Sequence, residues 1–511
     1  MARGAEPSHT LTAEQEAIYA RCAEMEDGDA LLLNARAGCA KTYTMVGALP
    51  KMYRPGDRGL VLTFSKANSE ELKRKVPSWC DASTFHSLAI RNVAAPLEFT
   101  KLWDMIKSKG GVTNRKLQAP VKQLVSLGKN LAIGLPGEQP DTLEFWTKML
   151  EIYGIKHPKR IPAEEVAFQA QRMFRRSLEY TATGDFDDQL YWLARDGFPA
   201  NTPPYTIIAV DEFQDTNPTQ SVVLDQAIAL AKGRCRILGP GDPAQAIYGW
   251  RGAGVNSFEQ GVQRFKAEVM TLTVSQRCPH AVIAEAQTLV PDILAKEGAS
   301  NGMVAMVPKA DFSIDYVEDG HVVLCRNNAP LLALALDALR KNRRVAIQGK
   351  DLAGKTLQAF RTIFHWGRVP HNIDRAFTSR QLVLKDELED QPFALANALE
   401  SLATAKAMWE ILQERNQDPF IWKDFSAFLD YAQTMMGQLF FDPEPGKPVD
   451  GIVLSTIHRA KGLEWDVVWF YDPGLIPSKS AKALGGWHLQ QEDNLKYVGI
   501  TRAKDSLIYV R

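Results

Sequence analysis

The residues of this 511-residue chain that could do chemistry begin with a lysine and a threonine. Residues 34–45 read NARAGCAKTYTM, so Lys41 and Thr42 follow an apolar run and can open a helix. A phosphate-binding loop is built this way: backbone N–H groups and the lysine hold phosphates, and the hydroxyl holds Mg2+. The usual pattern asks for glycine where Ala35 and Ala40 stand. Farther on, Asp211 and Glu212 end the apolar run YTIIAV. Phosphoryl transfer is mainly positioning and charge neutralisation, and it uses such a set: lysine on phosphates, hydroxyl and carboxylate on Mg2+, a base for water. Each pair alone is a weak signal: the lysine loop also reads as a decayed cradle or a chance match, and the D-E pair as two surface carboxylates at a strand end. Together they point to nucleotide hydrolysis.

Such residues need elements that hold their ends together. Short apolar runs recur along the chain, each ending in polar or glycine-rich residues and followed by helical periodicity: ALLLNA, GLVLTFS, YTIIAV and CRILG. A second set follows in HVVLCR, RVAIQG, GIVLSTIH, DVVWFYD and SLIYV. This alternation predicts an α/β fold with two parallel sheets and with its chemistry at the strand carboxyl ends. Residues 91–200 and 353–445 interrupt the pattern with mostly helical periodicity, the second carrying an acidic cluster at Asp386, Glu387, Glu389 and Asp390. Each reads as a helical insertion.

Composition narrows the class. A hydrophobic share of 45% and a charged share of 23% suit a globular chain, and a formal net charge of zero excludes a polycation held to nucleic acid by bulk attraction. One stretch, Met105 to Pro136, carries Lys107, Lys109, Arg115, Lys116, Lys122 and Lys129 with no acidic residue. It reads equally as a solvated face or as a phosphate-tracking one. The cysteines at 22, 39, 80, 235, 278 and 325 show neither C-x-x-C nor zinc spacing, so reduced thiols in a cytosolic protein are expected. With no apolar leader and no apolar run of about 18 residues, neither secretion nor membrane insertion is expected.

The flanking residues are more specific. VDEFQDTNPTQ (210–220) and GDPAQAIYGWRGA (241–253) resemble two signature motifs of the UvrD/Rep/PcrA family of superfamily 1 helicases. The likeness continues in family order. LTAEQEAI (11–18) is similar to the adenine-reading Q motif, and LTFSKANSEELKRK and STFHSLAIR to the first strand-binding motifs. GDFDDQLYW, LTVSQRCP, VLSTIHRAKGLEWDVVWF and NLKYVGITRAKDSLIYV resemble the remainder, carrying the likeness to residue 510.

The resemblance implies two RecA-like motor domains: residues 1–90 with 201–275, and 276–352 with 446–511, interrupted by insertions at 91–200 and 353–445. It implies that Ala37, Gly38, Cys39, Ala40, Lys41, Thr42 and Tyr43 cradle ATP, with Gln15 on adenine and Glu464 on ribose. Thr42 and Asp211 would hold Mg2+, Glu212 would activate water, and Gln245 would sense the γ-phosphate. Arg277 and Arg502, from the second half of the chain, would act as arginine fingers, so that ATP closes a cleft and hydrolysis releases it. Phe64, His86, Tyr248, Trp250, Arg251, Thr456 and His458 fall at DNA-contact positions.

The implied activity is an ATP-dependent helicase moving 3′→5′ on single-stranded DNA, acting at single-strand/duplex junctions in repair, recombination or replication. A cytoplasmic or nucleoid-associated location goes with it. A translocase that strips recombinase filaments with little unwinding, and an ATP-gated DNA-binding module without turnover, are the alternatives. Two departures from the family pattern stand out: Ala40 in the loop, and Gln276 where an adenine-stacking tyrosine is usual. As the last motif ends at Val510, no nuclease domain or tail is expected after it.

Overall fold

The computed structural model describes residues 10–348, 352–364, 369–370, 372–387, 392–416, 418, 421–440 and 450–511. Glu389 and Asp390 of the acidic cluster lie outside these residues. The chain packs as two units: Met1–Arg277 with Gln287–Gly298 and Ser478–Tyr497, and Cys278–Ala286 with Ala299–Pro477 and Val498–Arg511.

The first unit is built on six parallel strands: β1 Ala30–Ala35, β2 Gly59–Thr63, β3 Cys80–Thr84, β4 Ile207–Val210, β5 Arg236–Gly241 and β6 Glu268–Leu272. Among the described residues their order is β3-β2-β4-β5-β1-β6. β1, β2 and β4 are buried along almost their whole length, which is why they read as unbroken apolar runs rather than alternating ones. Because all six run the same way, their carboxyl ends share one edge. That edge collects the 36–40 loop after β1, Phe64 after β2, His86 just past β3, Asp211 after β4 and Asp242 after β5. A two-stranded pair, β7 Val274–Ser275 with β8 Leu294–Ala295, completes this unit.

The second unit repeats the plan with β9 Met303–Val307, β10 Val322–Cys325, β11 Val345–Ile347, β12 Ile452–Thr456, β13 Trp465–Tyr471 and β14 Ala503–Val510, ordered β11-β12-β10-β13-β14-β9 and again parallel. The α/β expectation of two parallel sheets holds. The helices between β11 and β12 pack an aromatic core of Phe360, Phe364, Trp409, Trp422 and Phe428 that is continuous with one face of this sheet. Among the described residues no helix is long and apolar enough to cross a membrane. The six cysteines are free thiols, all buried.

The helices between β3 and β4 enclose a charged core. Lys129 Nζ lies 2.8 Å from Asp185 and 2.7 Å from Asp188, while Lys101 Nζ lies 2.8 Å from Asp188 and from the Ser177 and Tyr180 carbonyls. Both ammonium groups are fully buried. The basic stretch read from the sequence therefore needs correction. Lys107, Lys109, Arg115, Lys116 and Lys122 are exposed, but Lys129 points inward on the apolar face of the helix Arg115–Asn130. Spacing explains this: Leu117, Val121, Leu124 and Gly128 form that face, and Lys129 falls within it. Lys129→Met, which leaves its carboxylates short of a counter-charge, should cost about 3–5 kcal/mol in chemical denaturation.

Candidate functional site

Lys41 starts the helix Lys41–Met52, and the loop before it is tightly held. Gly38 adopts φ 75°, and a Cβ there would stand 2.5 Å from Ser275 Oγ and 2.8 Å from Arg277 Cβ. Glycine is thus required at that position for the 275–277 segment to lie against the loop. The Gln276 N–H donates to the Gly38 carbonyl at 2.8 Å, and the Ala37 N–H donates to Tyr497 Oη at 3.0 Å. Ala40 takes a left-handed conformation, φ 56° and ψ 39°. Alanine therefore holds a left-handed conformation that glycine adopts freely, at about 1–2 kcal/mol of strain.

The carboxyl ends of β4 and β5 supply the opposing charges. Lys41 Nζ lies 3.0 Å from Glu212 Oε2, and Thr42 Oγ1 donates to Asp211 Oδ2 at 3.0 Å. Gln214 Nε2 donates to the same Glu212 oxygen at 2.6 Å, and its Oε1 accepts from the Asp242 N–H at 2.9 Å. Gln245 Nε2 then donates to Asp242 Oδ2 at 2.6 Å. Arg36, bidentate on Asp292, approaches Asp242 within 4.0 Å. Burial pushes the Asp211 carboxyl up to about 6, with Glu212 adding to the effect and Lys41 opposing it. Burial likewise raises Asp242. Burial works to lower the Lys41 ammonium, but Glu212, Asp242 and Asp211 outweigh it and hold it charged. A hydroxyl in contact with a buried carboxylate is a hard-oxygen set that fits Mg2+, which Thr42 and Asp211 would hold. Among the described residues no group of three or more His, Cys, Asp or Glu side chains forms an all-protein metal cage.

Beyond Gln245 the chain continues into an aromatic loop. Tyr248 stacks on Phe64 with centroids 5.4 Å apart and planes 9° from parallel. The Arg251 guanidinium lies 4.7 Å from the Trp250 ring and 5.6 Å from Phe64. Trp250 is 54% exposed, a large apolar face turned to solvent. His86 stacks on Phe186 at 4.1 Å, and burial, then Arg251, lowers its imidazole to about 4, so it is neutral at pH 7.

The first unit thus brings together Lys41, Thr42, Asp211, Glu212 and Gln245, sets Arg277 beside Gly38, and assembles Phe64, Tyr248, Trp250 and Arg251. Gln15 closes a capping box with Thr12 and donates to Thr44 Oγ1 at 2.9 Å, two residues past Thr42. Tyr43 is exposed on the first helical turn, and Cys39 is buried in the loop. The remaining candidates lie in the second unit. Thr456 ends β12, His458 sits on the short helix Ile457–Ala460, and Glu464 is exposed just before β13. Arg502 is buried, with its guanidinium on the Val498 and Leu463 carbonyls and Thr501 Oγ1.

The sequence reading gave no role to Gln214, Asp242, Gln491, Asn494 or Tyr497. Asp242 ends an apolar run three residues before Gln245, a signal that could have been used. The other set has no such signal. Gln491 accepts from the Gly249 N–H, Asn494 donates to the Ala246 carbonyl, and Tyr497 meets Ala37, each from more than two hundred residues away.

Asp211 also sets a pH dependence. Its folded-state value lies above the ordinary 3.8, so its contribution to stability is complete below about pH 4 and lost as pH rises through about 6. Asp211→Asn, without nucleotide, should raise the melting temperature relative to the parent chain at pH 7 and lose that advantage at pH 4.

Comparison with known proteins finds similarity to helicases. A model of the UvrD/REP helicase N-terminal domain matches residues 141–266, and one of the UvrD-like helicase C-terminal domain matches residues 414–510. The first match takes in Asp211, Glu212, Gln245 and the aromatic loop, and the second takes in Thr456, His458, Glu464 and Arg502. A probable DNA helicase II homolog of Rickettsia felis is 21% identical over 98% of this chain and 92% of its own length. The F-box DNA helicase protein 1 of Schizosaccharomyces pombe is 24% identical over 98% of this chain and 57% of its own. The ATP-dependent DNA helicase PcrA of Staphylococcus aureus is 22% identical over 98% and 83%. Two parallel-sheet units, the lysine loop facing a D-E pair, and both family models in order along the chain are features this protein shares with the UvrD/Rep/PcrA-like superfamily 1 helicases.

Proposed function

We propose that the protein uses ATP hydrolysis to move 3′→5′ along single-stranded DNA and to unwind duplex at the junctions it meets. One observation supports this most strongly. An unbroken chain of polar contacts runs from Lys41 through Glu212, Gln214 and Asp242 to Gln245, three residues before Tyr248. A change at the phosphates can therefore reach the aromatic loop through buried, satisfied hydrogen bonds.

In this reading Lys41 exchanges Glu212 for phosphate oxygens when nucleotide binds. The freed Glu212 carboxylate then orients and deprotonates the attacking water. Mg2+ would supply positive charge at the phosphate oxygens, held by Thr42 and Asp211. Arg277 and Arg502 neutralise charge developing on the transferred group. Gln15, Tyr43 and the 37–40 backbone position the nucleotide, and Glu464 contacts its ribose. Phe64, His86, Tyr248, Trp250, Arg251, Thr456 and His458 form the strand track, in which stacking grips bases without reading their sequence. The 3′→5′ direction follows from the likeness of DEFQDT and IYGWRGA to that branch of the family. A cytoplasmic or nucleoid-associated location suits such a substrate.

Turnover should rise on adding single-stranded DNA. Lys41→Ala should abolish it, and Ala40→Gly, which only relieves strain, should leave it within about tenfold. Trp250→Ala should weaken oligothymidylate binding by about 1–3 kcal/mol in a fluorescence titration. A 3′-tailed duplex should be unwound and a 5′-tailed one left intact. DNA-stimulated turnover without unwinding of either would favour a filament-stripping translocase, and DNA binding without turnover would favour an ATP-gated binding module.

A further inference from the structure

Asn130, the last residue of the helix Arg115–Asn130, joins three parts of the first unit. Its Oδ1 accepts from Asn217 Nδ2 at 2.8 Å. Its Nδ2 donates to the Ser126 carbonyl at 2.8 Å and to Asp187 Oδ1 at 3.1 Å. Its Cβ stands 3.6 Å from where a Cβ on Gly252 would lie, and the next residue, Leu131, packs at 3.2 Å on the same spot. Each contact leads to a different function. Asn217 caps the helix Pro218–Leu230 and directly follows the Phe213–Asp215 turn, which begins at Glu212 and ends at Thr216. Gly252 ends the loop of Tyr248, Trp250 and Arg251. Asp187 belongs to the turn anchored by the buried Lys129–Asp185–Asp188 cluster. A second link runs parallel, in which the Thr219 hydroxyl donates to the Lys129 carbonyl.

We propose that Asn130 is a positioning residue that couples the strand-contact loop to the D-E turn, so that DNA on the aromatic side sets Asp211 and Glu212 for hydrolysis. The inserted helices thus act as a strut, fixed from behind by buried charge, and not only as an appendage on the motor core. The coupling route is separate from the Glu212–Gln214–Asp242–Gln245 chain, because it passes behind the turn through Asn217 instead of through the phosphate-facing side chains. This inference rests on the reading of the protein as a DNA-stimulated ATPase.

The test compares the steady-state turnover of the full chain and of Asn130→Ala with and without oligothymidylate, alongside melting temperature. DNA-free turnover should stay within about twofold, while the DNA-stimulated rate falls by about tenfold. Asn217→Ala should reduce stimulation as well, and the double variant should lose no more than the worse single one. If Asn130→Ala does not fold, Thr219→Val breaks the parallel link and should lower the same ratio. Full stimulation in the variants, or equal losses with and without DNA, would overturn the proposal. A parent chain whose turnover ignores DNA would remove the ground beneath both this inference and the function on which it rests.

Discussion

The site depends on the confinement of three carboxylates, Asp211, Glu212 and Asp242, with the Lys41 ammonium at one sheet edge. Buried like charges repel and lose hydration, so the cluster persists only because Lys41, Thr42, Gln214 and Gln245 supply partners at 2.6–3.0 Å. Parallel strands make this possible: β1, β4 and β5 lie side by side, so that loops distant in sequence end at the same edge. Burial, with Glu212 adding to it, holds the Asp211 carboxyl above its ordinary value, and a cation at Thr42 and Asp211 would favour its charged form.

A second buried charge cluster sits among the helices between β3 and β4, and its role is different. Lys101, Lys129, Asp185 and Asp188 satisfy one another with carbonyls and capping contacts, leaving little for a ligand to change. Such a cluster adds little net stability over an apolar core, but it fixes geometry, because each donor has only one good acceptor arrangement. It anchors the end of the helix Arg115–Asn130 against the turn behind Asp211. The Lys129 carbonyl accepts from Thr219 and the neighbouring Asn130 from Asn217, which ties this cluster to the residues that follow the D-E pair.

Much of the site could be read from residue type and order. Lys41-Thr42 after an apolar run, and Asp211-Glu212 after another, follow from local chemistry, and both sheets were expected from the same runs. Ala40 could be flagged because only a left-handed residue fits there, and its φ of 56° shows that alanine has been forced into the glycine conformation. Lys129 was misread because a charge in a basic stretch is ordinarily solvated. Only the helix period, together with two aspartates more than fifty residues away, turns it inward.

The sequence by itself determined the elements, the reactive side chains and their order, because strand and helix periodicity and the chemistry of short motifs are local properties. Tertiary structure alone decided the partners. Tyr497 on the Ala37 amide, Gln491 and Asn494 on the 246–249 loop, and Asn130 on Asn217 are polar contacts of ordinary strength between distant residues. No periodicity encodes them, since each depends on the folded path of the backbone bringing one donor within about 3 Å of one acceptor.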